Sequence, residues 1–395
     1  MIKSLNVKGL NNRIDAALEF NEDLNIITGK NGSGKTTLLK LLWYLISGNL
    51  ARILPEIPFQ SVSIRTDLFS LSIEKDNPYP GEVRAIFLDF ETRDRAKQAL
   101  PHFPTDFEGV EIRFDSVESV NGAGGRIAEL MKSSLFFPSF RRIEGGYVSR
   151  GYVSRGTIDN PEWKMTSGLE KLQDSMEGFS SGISRNGHKF IASISTNDIG
   201  QLLEQKYGDI HIRISNLQSK VLDDISQKIQ VSAGSEIESA TSQATPTVLN
   251  EIQQLADERD RLRRPFVALS ELTQNILQYQ AIRVSGRSAR DEGADGITLG
   301  EESGETALGT VEEAIASDKL SSGEKQMLSF LCYNAFSENT AIFIDEPELS
   351  LHVDWQRLLL PTLLEQGTGN QFFIATHSPF IYAKYPDKEI SLGED

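Results

Sequence analysis

The sequence is poor in cysteine, in long apolar runs and in positive charge. Its one cysteine, Cys332, leaves no partner for an internal disulfide and fits a reducing compartment. Cys332 stands in the apolar stretch 328–336, so a small buried hydrophobe is expected there rather than a reactive thiol. No apolar run reaches the ~18 residues that cross a bilayer, so no membrane partner is expected. Met1-Ile2-Lys3-Ser4 leads into alternating sequence rather than an apolar signal core, which makes a cytoplasmic location the expectation. Forty basic residues against 56 acidic ones give a net charge of −16. That balance opposes non-specific attraction to nucleic acid, which needs Lys and Arg to displace phosphate counterions. His102, His188 and His211 are scattered without the spacing of metal ligands.

The 395 residues suffice for one large or two ordinary domains, and 39% apolar with 24% charged residues describes a globular chain. The N-terminal part reads as strands at 2–7, 18–20 and 24–28, the last running into a glycine loop and a leucine-rich helix closed by Gly48. Further strands are expected at 61–65, 68–74, 83–89 and 110–114. The middle changes character. Stretches 199–230 and 247–279 are polar with Leu and Ile at three and four, and 231–246 reads as a turn between them. A two-helix hairpin follows, with arms of roughly 30–35 residues and ~45–55 Å. Residues 284–310 are rich in Gly, Ser, Asp and Glu and read as a flexible linker. The C-terminal part is αβ again: helix 322–336, strand 341–344, helix 353–365, strand 371–375. The pentapeptide Gly146-Tyr147-Val148-Ser149-Arg150 recurs at 151–155, as a duplicated surface loop or a tyrosine/arginine ligand loop.

Four motifs carry chemistry. Gly29-Lys30-Asn31-Gly32-Ser33-Gly34-Lys35-Thr36, between a strand and a helix, is a phosphate loop. Its glycines let backbone N–H groups turn toward phosphate oxygens, Lys35 adds a cation, and Thr36 offers a hydroxyl to Mg2+. Ala341-Ile342-Phe343-Ile344-Asp345-Glu346 ends a buried strand in two carboxylates, one for Mg2+ and one for an attacking water. In Leu320-Ser321-Ser322-Gly323-Glu324-Lys325-Gln326, Ser321 and Glu324 stand at capping-box spacing before an apolar helix. A capped helix start also presents N–H groups to an anion. Thr376-His377-Ser378-Pro379 follows the last strand, which should neighbour the strand of Asp345; the histidine is structural, or hydrogen-bonds a γ-phosphate or the attacking water. The run Gly122-Ala123-Gly124-Gly125-Arg126 lacks Lys-[Ser/Thr] and reads as a flexible loop.

In this order the four motifs resemble the ABC-type ATPase head, over about 1–142 and 319–395. The resemblance implies an α/β P-loop fold, a mixed sheet with an antiparallel β-subdomain, carrying a helical, short coiled-coil hairpin insertion. The expected domains are 1–145, an insertion at 146–310, and 311–395. It also implies a head-to-tail homodimer that sandwiches ATP and Mg2+. Gly29, Asn31, Gly32, Ser33, Gly34, Lys35, Thr36 and Thr37 of one copy would grip the nucleotide. Ser322, Gly323 and Glu324 of the other would complete the site. Thr36 and Asp345 would hold the metal, with Lys35, Glu346 (general base) and His377 (switch) catalytic. The family's lid-loop glutamine has Gln60 as its candidate.

Asp345-Glu346-Pro347-Glu348-Leu349-Ser350-Leu351-His352 and Thr376-His377-Ser378-Pro379 further resemble the AAA family 21/15 (OLD-like) branch. That branch includes overcoming-lysogenization-defect nucleases and the ATPase subunits of Septu, PARIS and retron-associated antiphage systems. The segment from Phe136 to Glu144 is similar to a Pro-aromatic-Arg-Arg-Ile-Glu stretch in those proteins. In this chain Arg141 or Arg142 would contact phosphate or the dimer partner, or the pair would form a solvated basic turn. After His377 the chain runs only to Asp395, so no nuclease domain of the OLD kind is expected. The resemblance therefore implies an ATPase controlling a separately encoded nuclease or toxin. The alternative is a DNA-repair or DNA-clamping ATPase, with Arg261-Leu262-Arg263-Arg264 and Arg141-Arg142 lining the groove. A membrane-transporter subunit is a third reading.

Overall fold

The structure is a computed structural model that describes residues 1–75, 83–90, 112–114, 117–139, 142–143, 178–194, 196–232, 253–266, 281–288, 294–300 and 321–393. The chain divides into two compact units. One comprises Met1–Ile194, Leu320–Met327 and Ser337–Asp395, the other Ser195–Lys319 and Leu328–Phe336.

In the first unit, β1 (Ile2–Leu10), β2 (Ile14–Glu19), β4 (Ser61–Thr66), β5 (Phe69–Lys75), β6 (Val83–Phe90) and β7 (Ile112–Phe114) form an antiparallel sheet in the order β2-β1-β4-β5-β6-β7. Buried and open positions alternate along β4 and β5, as expected of a sheet with one face in the core. The second sheet is parallel throughout. It contains β10 (His188–Phe190), β8 (Ser134–Phe137), β14 (Ala341–Asp345), β15 (Gln371–Ala375), β3 (Leu24–Gly29) and β16 (Glu389–Leu392), in the order β10-β8-β14-β15-β3-β16. Its inner strands are continuous apolar runs such as Ile342-Phe343-Ile344 and Phe372-Phe373-Ile374, the pattern of strands covered on both faces.

Helix α1 (Lys35–Ile46) is buried on all sides from Leu38 onward except at Lys40. A helix apolar all round needs cover all round. Here Leu5, Ile64 and Leu71 of the antiparallel sheet share one core cluster with Trp43 of α1 and with Phe136, Phe343 and Phe373 of the parallel sheet. Trp43 lies 5.4 Å from Phe136 and 5.6 Å from Phe190, ring to ring. Gln371 ties the two sheets together: its side chain bonds both the N–H and the C=O of Ile2, each at 2.8 Å.

The run at 122–125 is not a loop. It lies within helix α3 (Val117–Met131). Glycine costs a helix about 1 kcal/mol relative to alanine, yet a Cβ on Gly124 would stand 2.1 Å from the carbonyl oxygen of Gly48. Close backbone approach at the end of α1 outweighs the local propensity.

Helix α2 (Leu50–Glu56) ends over a buried ammonium. Lys75 Nζ donates to the carbonyls of Leu54 and Ile57, both at 3.1 Å, and lies 4.0 Å above the Phe59 ring. Burial lowers its pKa from the usual lysine value to about 8. Between about 8 and 10.5 the unfolded chain holds a proton that the folded chain releases, so stability rises with pH across that window. Melting curves at pH 7.5 and 10 should show this gain in the wild type and its loss in Lys75→Met. The expected difference is about 1–2 kcal/mol after solvent screening.

The second unit holds helix α4 (Thr196–Ser232), helical residues 253–266, and a hairpin of β12 (Ala281–Ser288) and β13 (Ala294–Gly300). Tyr207 meets Phe266 edge-on at 5.9 Å, which sets the second helical segment beside the start of α4. The sequence reading of 199–230 as helix agrees with α4. Of the second expected arm, the residues flanking 253–266 lie outside the described set, as does the pentapeptide repeat. Residues 284–310 are not purely linker, because β12 and β13 pair antiparallel. Ile282 faces Leu299 and Val284 faces Ile297, so alternation within a Gly- and Ser-rich segment decides for strand.

Candidate functional site

Strands β14, β15 and β3 are parallel neighbours, with Asp345 level with Ala375 and Ala375 level with Ile27. The residues that follow them therefore emerge at one edge of the sheet. The carboxyl edge of a parallel sheet is the usual place for a ligand. Glu346, Thr376 and the glycine loop all arrive there.

The loop after β3 is held open by its glycines. Gly29 has φ 140° and Gly34 φ 88°, in the region that disfavours side chains. A Cβ on Gly29 would meet the Leu392 carbonyl oxygen of β16 at 2.5 Å. One on Gly34 would meet Ile14 at 2.7 Å. The turn between β1 and β2 lies against this loop: Asn11 Nδ2 donates to Thr37 Oγ1 at 3.2 Å, and Arg13 donates to the Gly32 carbonyl. Asn31 is exposed at the loop's crest.

Lys35 is 5% exposed and folds back onto its own loop, donating to the carbonyls of Gly29 at 2.9 Å and Lys30 at 3.1 Å. Desolvation lowers its pKa, while the charges of Glu346, Asp345 and Glu348 pull it back up. Thr36 Oγ1 donates to Asp345 Oδ1 at 3.0 Å, across more than three hundred residues of chain. The Ser33 hydroxyl is buried without a hydrogen-bond partner. A cation resting on carbonyls, an orphaned hydroxyl and a hydroxyl–carboxylate pair suit phosphate oxygens and a hard divalent cation. The residues present therefore fit ATP and Mg2+.

Glu346 is half-buried with φ 46°, a left-handed conformation that costs a non-glycine residue roughly 1–3 kcal/mol. Its N–H donates to the Ala375 carbonyl at 2.8 Å, which joins the two strand ends. Strain of this kind concentrates at functional sites.

Helix α5 (Ser322–Ala335) begins as the sequence predicts. Ser321 N–H donates to Glu324 Oε2 at 2.6 Å and Glu324 N–H to Ser321 Oγ at 3.3 Å, a reciprocal capping box. Ser322 is exposed at its start, and Gly323 is buried against the acidic strand's loop. Gln326 Nε2 donates to the Pro347 carbonyl at 2.8 Å. A Cβ on Gly323 would stand 2.6 Å from the Ser350 carbonyl oxygen. Glycine to alanine in a helix ordinarily stabilises by about 1 kcal/mol. Here Gly323→Ala is expected to destabilise by about 1–3 kcal/mol, because the clash is with backbone. Urea unfolding of the two proteins checks the sign.

The structure brings Lys35, Thr36 and Asp345 together, with Glu346 and Glu348 close enough to act on the Lys35 charge. Ser322, Gly323 and Glu324 form the capped start of α5. His377 stands exposed after β15, its main-chain N–H bonded to Glu348. Gln60 immediately precedes β4, and its backbone hydrogen-bonds to that of Lys8 in β1 and Lys75 in β5. Arg141 lies outside the described residues, and Arg142 sits on β9 (Arg142–Ile143), which pairs parallel with β11 (Ser193–Ile194). Motif reading assigned nothing to Asn11, Arg13, Gln326 or Glu348. For Glu348 a signal exists, a third carboxylate two residues past the acidic pair.

Known proteins bear on this site. A family described as "AAA domain" matches residues 4–284, and one described as "AAA domain, putative AbiEii toxin, Type IV TA system" matches residues 197–383. Endonuclease GajA of Bacillus cereus (strain VD045) is 41% identical over 63 residues, which is 14% of this chain and 11% of that protein. Two solved structures are similar at low identity. One is the Smc head domain with an extended coiled coil bound to the C-terminal domain of ScpA, derived from Pyrococcus furiosus (12% identity, TM-score 0.42). The other is the SmcHead bound to the C-winged helix domain of ScpA (13% identity, TM-score 0.45). Each alignment covers 97% of this chain and 91% of the other. At these TM-scores the likeness carries no assignment. The first of the two family matches takes in more than half of the sequence, including the whole phosphate loop, and this chain belongs to the AAA domain family of ATPases.

Proposed function

We propose that the chain binds and hydrolyses ATP in a site completed by a second copy, and that this cycle controls a separately encoded nuclease or toxin in antiphage defence. One observation carries the ATPase reading: the Lys35 loop, the Thr36–Asp345 pair and Glu346 meet at neighbouring strand ends. In this reading Lys35 leaves the Gly29 and Lys30 carbonyls for the β- and γ-phosphates. The loop N–H groups from Gly29, Asn31, Gly32, Ser33 and Gly34, and the start of α1 with Thr36 and Thr37, surround the phosphates. Thr36 and Asp345 would hold Mg2+, which when bound would supply charge neutralisation at the phosphates. Glu346 takes a proton from the attacking water, and His377 contacts the γ-phosphate or that water. Ser322, Gly323 and Glu324 act on the partner copy's nucleotide through the capped start of α5. Hydrolysis removes the group that bridges the copies and so releases them.

The defence role rests on the OLD-like acidic and Thr-His-Ser-Pro motifs, the match to a family described by a toxin of a type IV toxin–antitoxin system, and the short likeness to an endonuclease. Purified chain should hydrolyse ATP with Mg2+ and shift to a dimer with ATP in size-exclusion chromatography. Cells carrying it with its neighbouring gene should resist phage, and lose resistance when Lys35 is replaced. Absence of ATP turnover would remove the enzyme reading, and unchanged phage plating would remove the defence reading.

DNA clamping is the second reading, favoured by exposed Arg261, Arg263 and Arg264 on the helix at 253–266. Glu258 pairs with Arg261 at 3.6 Å, however, and the net charge of −16 opposes it. ATP-stimulated, salt-dependent binding to duplex DNA would support it; no binding at low salt would remove it.

A further inference from the structure

Glu348 follows the acidic pair by two residues and has no part in the reaction described above. Its carboxylate is half-buried and doubly engaged. Oε1 accepts the main-chain N–H of His377 at 2.7 Å, and Oε2 accepts the Thr376 hydroxyl at 2.9 Å. The same hydroxyl accepts from the Ser378 N–H at 3.0 Å, and the Ser378 hydroxyl donates to Gln356 Oε1 at 2.6 Å. Gln356 Nε2 then returns to the Leu351 carbonyl at 2.8 Å. The loop 376–378 is thus tied by side chains to the segment after β14.

Within that loop Thr376 and Ser378 are buried, while His377 is exposed. The bonds therefore fix the backbone on both sides of one outward ring. Hydrogen bonds to an ionised carboxylate are roughly twice as strong as neutral ones. Glu348 also lies within the electrostatic reach of Lys35, beside Asp345 and Glu346.

We propose that Glu348 is a positioning residue, which sets where the His377 ring stands by holding the His377 N–H and the Thr376 hydroxyl. The proposal rests on the hydrolysis reading above. Glu348→Ala removes both acceptors, whereas Glu348→Gln keeps one for the His377 N–H and can donate to Thr376 Oγ1. Steady-state ATP hydrolysis should show kcat falling about tenfold or more in Glu348→Ala, with KM within about twofold, and most of kcat restored in Glu348→Gln. A residue that acts through His377 adds nothing once that ring is gone. Glu348→Ala on top of His377→Ala should therefore change kcat by less than about twofold. A multiplicative loss in the double variant, an unchanged kcat in Glu348→Ala, or a glutamine variant as impaired as the alanine one would overturn the proposal.

If wild-type chain hydrolyses no ATP, the hydrolysis reading fails alone, and the assignment is decided by hydrogen exchange at the His377 amide without nucleotide. Exchange at least about tenfold faster in Glu348→Ala supports it, and unchanged exchange overturns it.

Discussion

Replacing Lys35 with alanine is expected to lower ATP hydrolysis about 10²–10³-fold, the usual loss when one preorganised stabiliser of developing phosphate charge is removed. The reason lies in how the ammonium is held. It is buried and makes two hydrogen bonds, to the carbonyls of Gly29 and Lys30. Both acceptors are neutral, so a phosphate oxygen replaces them at a gain in charge pairing. The ammonium also offsets Asp345, Glu346 and Glu348, which all act on it. Without it, a polyanionic nucleotide would face three carboxylates through Mg2+ alone. ATP affinity should fall together with turnover, and titration with a fluorescent ATP analogue separates the two. A Lys35→Ala chain that binds and hydrolyses ATP like the wild type would sink the site.

Glu346→Gln is expected to act differently. It preserves the side chain's size and the left-handed backbone at φ 46°, but an amide cannot take a proton from water. Turnover should fall about 10²–10⁴-fold. Affinity should hold or improve, since one of the carboxylates nearest the phosphates becomes neutral. ATP-bound dimers should then accumulate, visible as a persistent early peak in size-exclusion chromatography with ATP and Mg2+. Wild-type turnover in this variant would remove Glu346 from the reaction. Turnover lost without a lasting dimer would leave Glu346 as base and remove the coupling of dimerisation to hydrolysis.

The two variants thus report on different halves of the cycle. Lys35→Ala blocks entry, Glu346→Gln blocks exit. Under the proposed function, a controlled effector is expected to stay in its nucleotide-free condition with the first and in its ATP-bound condition with the second.

Much of the fold and of the candidate site is legible in the residues themselves, for local reasons. Helix 353–365 and strand 371–375 have in the structure the bounds that their periodicity predicts. The capping box of Ser321 and Glu324 forms because its two partners stand three residues apart. The strand–loop–helix around Lys35 follows from a buried apolar run, the turning residues 30–34, and a leucine-spaced helix. Such features depend on contacts within a few residues, and their spacing is written in the chain.

Other features depend on partners far away in sequence, and tertiary structure alone decided them. Gly29 is glycine in part because β16 brings the Leu392 carbonyl against it. Thr36 meets Asp345, and Asn11 meets Thr37, through sheet order rather than spacing. Gly124 stays helical because Gly48 lies against it, although its neighbours Gly122 and Gly125 favour a loop locally. β12 and β13 pair where composition alone predicts a linker. Glu348 gains its place from a loop 28 residues on, which parallel pairing of β14 and β15 carries to its carboxylate. The sequence by itself determined where the glycine loop, the acidic strand end and the capped helix start lie, and which helices and strands carry them. Only packing decided which of them touch, because a parallel sheet joins strand ends whose separation along the chain has no period to read.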